Sequence, residues 1–226
     1  ARLEAGRLMT VIIAIDGPAG SGKSSVSKQV ARELGFGYLD TGAAYRALAL
    51  AVMNSWVPKV VEGESAEASI RAFDYSISLN PDDFWVKVGD HDVTEAIRAS
   101  DVAENVSAVA KHPEVRSFMK TLTLSLVEAS GMPGVVVEGR DITTVVAPDA
   151  KNRILLTAAE EVRLRRRSAE LSPEAAKNVE RQVSHRDAQD AKVVDFMTPS
   201  PGVALVDSTE LNFEQTVAAV LSVVRD

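Results

Sequence analysis

Five consecutive apolar residues, Val11-Ile12-Ile13-Ala14-Ile15, are followed by a glycine-rich stretch and predict a buried strand over 11–15. After a turn over 16–22, Val26, Val30, Ala31 and Leu34 recur at helical spacing. They predict a helix over about 23–35, which Gly35 and Gly37 stop. Tyr38-Leu39 reads as a short strand, with helices expected at about 43–54 and 64–73. The period then changes. Residues 75–79 and 84–88 alternate apolar and polar positions around Asn80-Pro81-Asp82-Asp83, the signature of a hairpin, with a third short strand after Gly89-Asp90. Helical patterns resume at 100–110 and 113–130. Buried strands are expected at 135–137, 153–156 and 203–206, and helices at 159–171, 173–191 and 213–224.

Apolar strands alternating with helices imply a mostly parallel sheet covered on both faces, and the antiparallel patch reads as an insertion into it. The expected division is a core over 1–59, an inserted lobe over 60–105, core again over 106–158, a helical lid over 159–191 and a final core segment over 192–226.

The chain of 226 residues is long enough for such a fold, and 46% of it is hydrophobic, an ordinary fraction. Lys+Arg 25 against Asp+Glu 32 leaves a net charge of -7, which disfavours non-specific binding to nucleic acid or to an anionic membrane. The absence of cysteine excludes disulfides, thiolate zinc sites and thiol catalysis, and fits a cytoplasmic protein. Three scattered histidines make a poor metal site. No apolar run approaches the length of a membrane span. A monomer is expected.

The first motif with chemical content is Gly17-Pro18-Ala19-Gly20-Ser21-Gly22-Lys23-Ser24, a full match to G-x-x-x-x-G-K-[ST]. It lies between a predicted buried strand and a helix, the context in which this motif forms a phosphate-binding loop. Successive backbone N–H groups and the helix N-terminus, with Ser25 next in line, would face the phosphates of a nucleoside triphosphate. Lys23 would reach the β- and γ-phosphates and the Ser24 hydroxyl a Mg²⁺ ion. The fold class is therefore a three-layer P-loop NTPase, with a small antiparallel insert and a helical lid. The chain lacks N-K-x-D, the guanine-reading motif of switch GTPases, and is too short for the large motor ATPases.

Further motifs follow in order: Asp40-Thr41-Gly42-Ala43-Ala44-Tyr45-Arg46, Glu138-Gly139-Arg140-Asp141, Arg186-Asp187-x-x-Asp190 and Val206-Asp207-Ser208-Thr209. Together with the phosphate loop, their order and spacing resemble the bacterial-type cytidylate kinases, which are P-loop nucleoside monophosphate kinases. The likeness runs over nearly the whole chain and is weakest in 56–72 and 168–180. It implies transfer of the γ-phosphoryl group of ATP to CMP or dCMP with Mg²⁺. The resemblance places Ser107, Arg116 and Asp141 at the cytosine ring, Arg46 and Arg140 at the CMP phosphate, and Thr41 beside the base or sugar. Arg186 and Asp190 would lie near the CMP sugar, with Arg186 also reaching the transferred group. Arg163 and Arg166, in the charge run Arg163–Arg167, would face phosphate from the lid.

Most of these residues also have a plainer alternative, Ser107 and Arg116 as solvated residues on helix surfaces. Arg46 can serve a structural salt bridge, and Arg140 and Asp141 can pair with each other. Arg186 and Asp190 are spaced for an i,i+4 ion pair, and a charge run is usually a solvated helix face. Asp40 either holds a water on Mg²⁺ or caps a helix.

The chain departs from the family pattern at three positions. Val193 stands where an arginine is usual, which implies weaker CMP affinity, because the neighbouring Lys192 cannot offer a bidentate fork. Thr143 replaces a common glycine and would be strained at positive φ. Ala147 replaces a common phenylalanine. The segment from Arg167 to Arg186 is also shorter than typical.

Overall fold

The computed structural model describes residues 10–60, 64–169 and 195–225. Its main sheet has five parallel strands in the order β2-β6-β1-β7-β8: β1 Val11–Asp16, β2 Gly37–Asp40, β6 Gly134–Gly139, β7 Asn152–Thr157 and β8 Ala204–Asp207. A separate antiparallel sheet orders β3 Tyr75–Ile77, β4 Val86–Val88 and β5 His91–Asp92. The helices are α1 Lys23–Leu34, α2 Thr41–Met53, α3 Glu64–Ala72, α4 Ser100–Ala110, α5 Pro113–Ala129, α6 Glu160–Ala169 and α7 Phe213–Arg225.

The three layers follow from the period of the strands. Successive residues of β1 point to opposite faces. Ile13 and Ile15 pack with Val26 and Val30 of α1 and with Val217 and Val220 of α7. Ala14 packs on the other side, with Leu39, the inner residues of α2, and Val115 and Met119 of α5. Helix α2 is apolar nearly all round, and Ala43, Ala47, Ala49 and Ala51 are fully buried. A helix of that character is buried, and its small side chains allow close approach by its neighbours. This second core continues into the insert through Phe73, Ile77, Val86 and Val88. Among the described residues no helix is long and apolar enough to cross a membrane.

Several boundaries differ from those expected. Helix α2 starts at Thr41 rather than 43, because Asp40 Oδ1 accepts from the Ala43 N–H at 3.1 Å and caps it. The hairpin strands are shorter than the alternation implied. Leu79 turns away, its carbonyl accepting from Tyr38 N at 2.9 Å, while Ser78 Oγ and Asn80 Oδ1 accept from Asn80 N and Asp82 N and widen the turn. Two elements were not anticipated, a 3₁₀ turn at Ala96–Arg98 and a π-helical turn at Ile142–Val146. The helix expected over 173–191, which carries Arg186 and Asp190, lies outside the described residues, as do Lys192 and Val193.

Candidate active site

The phosphate loop bridges β1 and α1 at the carboxyl end of the sheet, where ligands bind in open α/β folds. Two glycines are indispensable to its path. A Cβ on Gly17 would come within 2.0 Å of the Leu156 carbonyl oxygen, and one on Gly20 within 2.4 Å of the Arg163 carbonyl oxygen. Both residues also have positive φ, +152° and +75°. Lys23 Nζ donates to the Pro18 carbonyl at 2.8 Å, which holds the ammonium against the loop backbone. Ser24 and Ser25 are exposed on the first turn of α1, while Ser21 is buried inside the loop.

The base of the loop is tied to the next strand over. Asp16, 2% exposed, accepts from Ile142 N at 2.9 Å, from Thr143 N at 2.8 Å and from the Thr143 hydroxyl at 2.7 Å. Burial raises its pKa, and the bonds from Thr143 and Ile142 pull the other way. Thr143 is therefore not strained. Among the described non-glycine residues only Ser55 has positive φ, and the hydroxyl a glycine would lack secures the π-helical turn.

Glu138, at the end of β6, gained no role from the sequence. Its carboxylate is buried, with Oε1 accepting from the Tyr38 hydroxyl at 2.5 Å. Oε2 has no hydrogen-bond partner among the described residues. Burial and the Asp40 charge raise its pKa, and Lys23 and Ser24 pull it down from the phosphate-loop side. A buried acceptor between the loop lysine and the loop serine suits a water on a hard cation. The sequence signal was a carboxylate ending an apolar strand. Asp40, by contrast, realises the capping alternative, with its second oxygen accepting from Arg46 at 2.6 Å.

Beside this lies a cavity of about 90 Å³ between α2, α5 and the π-helical turn. Thr41, Tyr45, Arg116, Asp141, Ile142 and Val145 are among its lining residues. Arg116 donates to Asp141 at 2.5 Å, with side chains 23% and 15% exposed. Asp141 thus pairs across to α5 rather than with its neighbour. Its pKa is raised by burial, against the Arg116 charge that lowers it. Arg140 turns to the phosphate loop instead, donating to the Gly17 carbonyl at 2.8 Å and lying 4.4 Å from the centroid of the buried Phe196 ring. The Thr41 hydroxyl donates to the Glu138 carbonyl at 2.8 Å. Arg46 is held by Asp40, the two side chains being 17% and 15% exposed. Ser107 is half-buried on α4 and does not line this cavity.

Helix α6 brings its arginines to the opposite side of the phosphate loop. Arg163, 5% exposed, donates to the Ala19 carbonyl at 2.9 Å. Arg166 donates to Ser208 Oγ at 2.9 Å and to the Ser208 carbonyl at 2.8 Å, and contacts the Ser21 carbonyl at 3.4 Å. It thereby fastens Asp207-Ser208-Thr209 to the loop. Arg165 is exposed. The structure brings together Lys23, Ser24, Thr41, Arg46, Arg116, Arg140, Asp141, Arg163 and Arg166 around one end of the sheet. Arg186 and Asp190 are not among the described residues.

Comparison with known proteins finds relatives over nearly the whole chain. The profile of the family described as cytidylate kinase matches residues 13–226. Curated relatives include the cytidylate kinase of Cutibacterium acnes, 40% identical over 95% of this chain and 96% of the relative. That of Desulfitobacterium hafniense is also 40% identical, over 95% and 92%. That of Streptomyces griseus is 39% identical over 95% and 93%. With a match of this extent and a phosphate loop built as the motif requires, the chain belongs to the cytidylate kinase family.

Proposed function

We propose that the protein transfers the γ-phosphoryl group of ATP to CMP or dCMP, giving ADP and CDP or dCDP. The observation that carries the acceptor assignment is the Arg116–Asp141 pair on the wall of the cavity beside the phosphate loop. Cytosine presents an amine donor at N4 and acceptors at N3 and O2, and uracil reverses the first two. A carboxylate that accepts and a guanidinium that donates match cytosine. They would leave uracil with unpaired polar groups, which costs about 1–3 kcal/mol each.

In this reading a CMP phosphate oxygen attacks the γ-phosphorus in line. The new P–O bond forms as the bond to the β,γ-bridging oxygen breaks, and ADP departs. The acceptor phosphate has a second pKa of about 6, so it is mostly dianionic at neutral pH and needs no general base. The difficulty is repulsion between two polyanions, which positioned cations relieve. Lys23 and the loop N–H groups would hold the donor phosphates, and Arg46 and Arg140 the acceptor phosphate. The segment over 159–191 would act as lid, with Arg163, Arg166 and Arg186 lending charge and Asp190 meeting the sugar, while the lobe over 60–105 closes on the acceptor and Ser107 reaches the amine edge. The Ser24 hydroxyl and, through water, Glu138 would hold Mg²⁺, which when bound neutralises phosphate charge and orients the oxygens.

A coupled assay of ADP release with each nucleoside monophosphate and ATP tests the assignment. Turnover with CMP and dCMP well above UMP and AMP is expected. Phosphorylation of UMP, AMP or shikimate without CMP would refute it.

A further inference from the structure

Phe196 is 1% exposed and one of the largest fully buried side chains, yet among the described residues it joins neither of the two apolar cores. It comes from an irregular segment rather than a strand or helix, and it is the one buried residue in 195–203, the stretch that leads into β8. That stretch is pinned. Asp195 Oδ1 accepts from Met197 N at 2.9 Å and from Thr198 N at 3.1 Å, and the Pro201 carbonyl accepts from Arg153 of β7 at 3.4 Å. A turn whose other side chains stay at or near the surface therefore presses a single aromatic ring into the fold.

What the ring meets there is a cation. The Arg140 guanidinium lies 4.4 Å from its centroid, inside the roughly 6 Å at which an aromatic face attracts a cation, most strongly where water is excluded. The same guanidinium donates to the Gly17 carbonyl at 2.8 Å. Gly17 opens the phosphate loop, and Asp141, next to Arg140 in the chain, lines the acceptor cavity. Two restraints thus fix Arg140 at the seam between the donor and acceptor halves of the site. Arg46 and Arg116 are each held by a carboxylate, at 2.6 and 2.5 Å, and a carboxylate offsets the charge that attracts a phosphate. An aromatic ring restrains a guanidinium without neutralising it. It also takes up no N–H donor, because those donors point outward in the guanidinium plane.

We propose that Phe196 is a positioning residue for Arg140, holding the guanidinium at that seam so that the acceptor phosphate meets it already in place. The inference rests on the reading of Arg140 as a ligand of the CMP phosphate. An arginine free to turn occupies the competent orientation only part of the time, and the apparent affinity falls by that fraction. Once CMP is bound the arginine is in place whatever its earlier freedom, so the effect belongs to binding and not to the chemical step.

The test changes the electrons of the ring while keeping its shape. Mono-, di- and trifluorinated phenylalanine are placed at position 196, with Phe196→Leu as the variant that removes the ring altogether. Fluorine draws negative charge off the ring face, so it weakens the hold on a cation and leaves the packing. Calorimetric titration should show CMP binding weaken stepwise with each fluorine, to about three- to tenfold, and Phe196→Leu should weaken it at least as far. The CMP KM should rise by the same factor with kcat changed less than about twofold, and ATP binding should not move. A ring that served packing alone would leave CMP affinity level across the fluorinated series, whatever Phe196→Leu does to the thermal midpoint, and that result would overturn the proposal. In an Arg140→Met background fluorination should no longer affect CMP affinity, and an effect that persists there would overturn it equally. Arg140→Met by itself separates the two levels. If it weakens CMP while the fluorinated series does not, only the positioning role fails; if neither weakens CMP, the reading of Arg140 as a phosphate ligand fails with it.

Discussion

Asp141 and Glu138 are set to different tasks by their neighbours. Asp141 has a guanidinium at 2.5 Å, whereas Glu138 has a phenol on one oxygen and Lys23 and Ser24 acting on it from the phosphate-loop side. Removing Arg116 takes away the strongest influence that lowers the Asp141 pKa, so its already raised pKa climbs further. Arg116 is also the donor to the ring acceptors in the proposed reading, so its loss removes half of the pattern that separates an amine from a carbonyl. Arg116→Ala should therefore lower kcat/KM for CMP about 10–100-fold and shrink the CMP-to-UMP ratio, both read in the coupled assay. For Glu138 the raised pKa means that the folded state holds its proton more tightly than the unfolded chain does. That contribution to stability is complete below the ordinary glutamate pKa and is lost as pH rises through the folded value. Glu138→Gln, with no charge to bury, should be more stable than the parent by about 1–3 kcal/mol at pH 8. The difference should vanish toward pH 4 in urea titrations, while turnover with ATP falls.

At the scale of elements, the π-helical turn Ile142–Val146 joins the site's two halves, with Asp16 below the phosphate loop bonded to it and Asp141 immediately before it. Thr143→Val keeps the shape and deletes the hydroxyl bond to a buried carboxylate. It should cost about 1–3 kcal/mol in urea unfolding and raise the KM for both substrates. Thr143→Gly should cost more, having lost packing as well. This turn also marks the limit of what the sequence discloses. Among the described residues, the strands, the helices and the phosphate loop were legible because each depends on local period, or on glycines that a fixed backbone path requires. The π-helical turn depends on Asp16, some 126 positions away in sequence, and leaves no period of its own. The same holds for the site. Lys23, Arg46, Arg116 and Asp141 could be named from motifs and family likeness. Glu138 acquires meaning only from which neighbours burial gives or denies it, and that is a property of tertiary packing.

For the whole molecule, the two cores are unequal in reach. The one between the sheet, α1 and α7 has its buried residues in the main body and meets Phe84 of the insert at its margin, whereas the other runs unbroken from Ala14 and Val137 through α2 to Ile77, Val86 and Ile97 of the insert. The insert's three strands have only two or three residues each, and its apolar residues Phe73, Ile77, Val86 and Val88 are buried in the core that it shares with the main body. It should therefore not unfold as a separate unit. The two tryptophans make this measurable, since Trp56 follows α2, stacked on His91 of the insert at 4.2 Å, and Trp85 precedes β4. Tryptophan fluorescence thus reports the acceptor side, while far-ultraviolet circular dichroism reports every helix. Urea titrations followed by the two probes should coincide, and saturating CMP should move both midpoints upward together. A fluorescence transition at lower urea than the dichroism transition would show the insert to be an independent unit. Acceptor binding would then order a lobe that the free protein holds only loosely, and the continuous core would not be what couples the acceptor site to the phosphate loop.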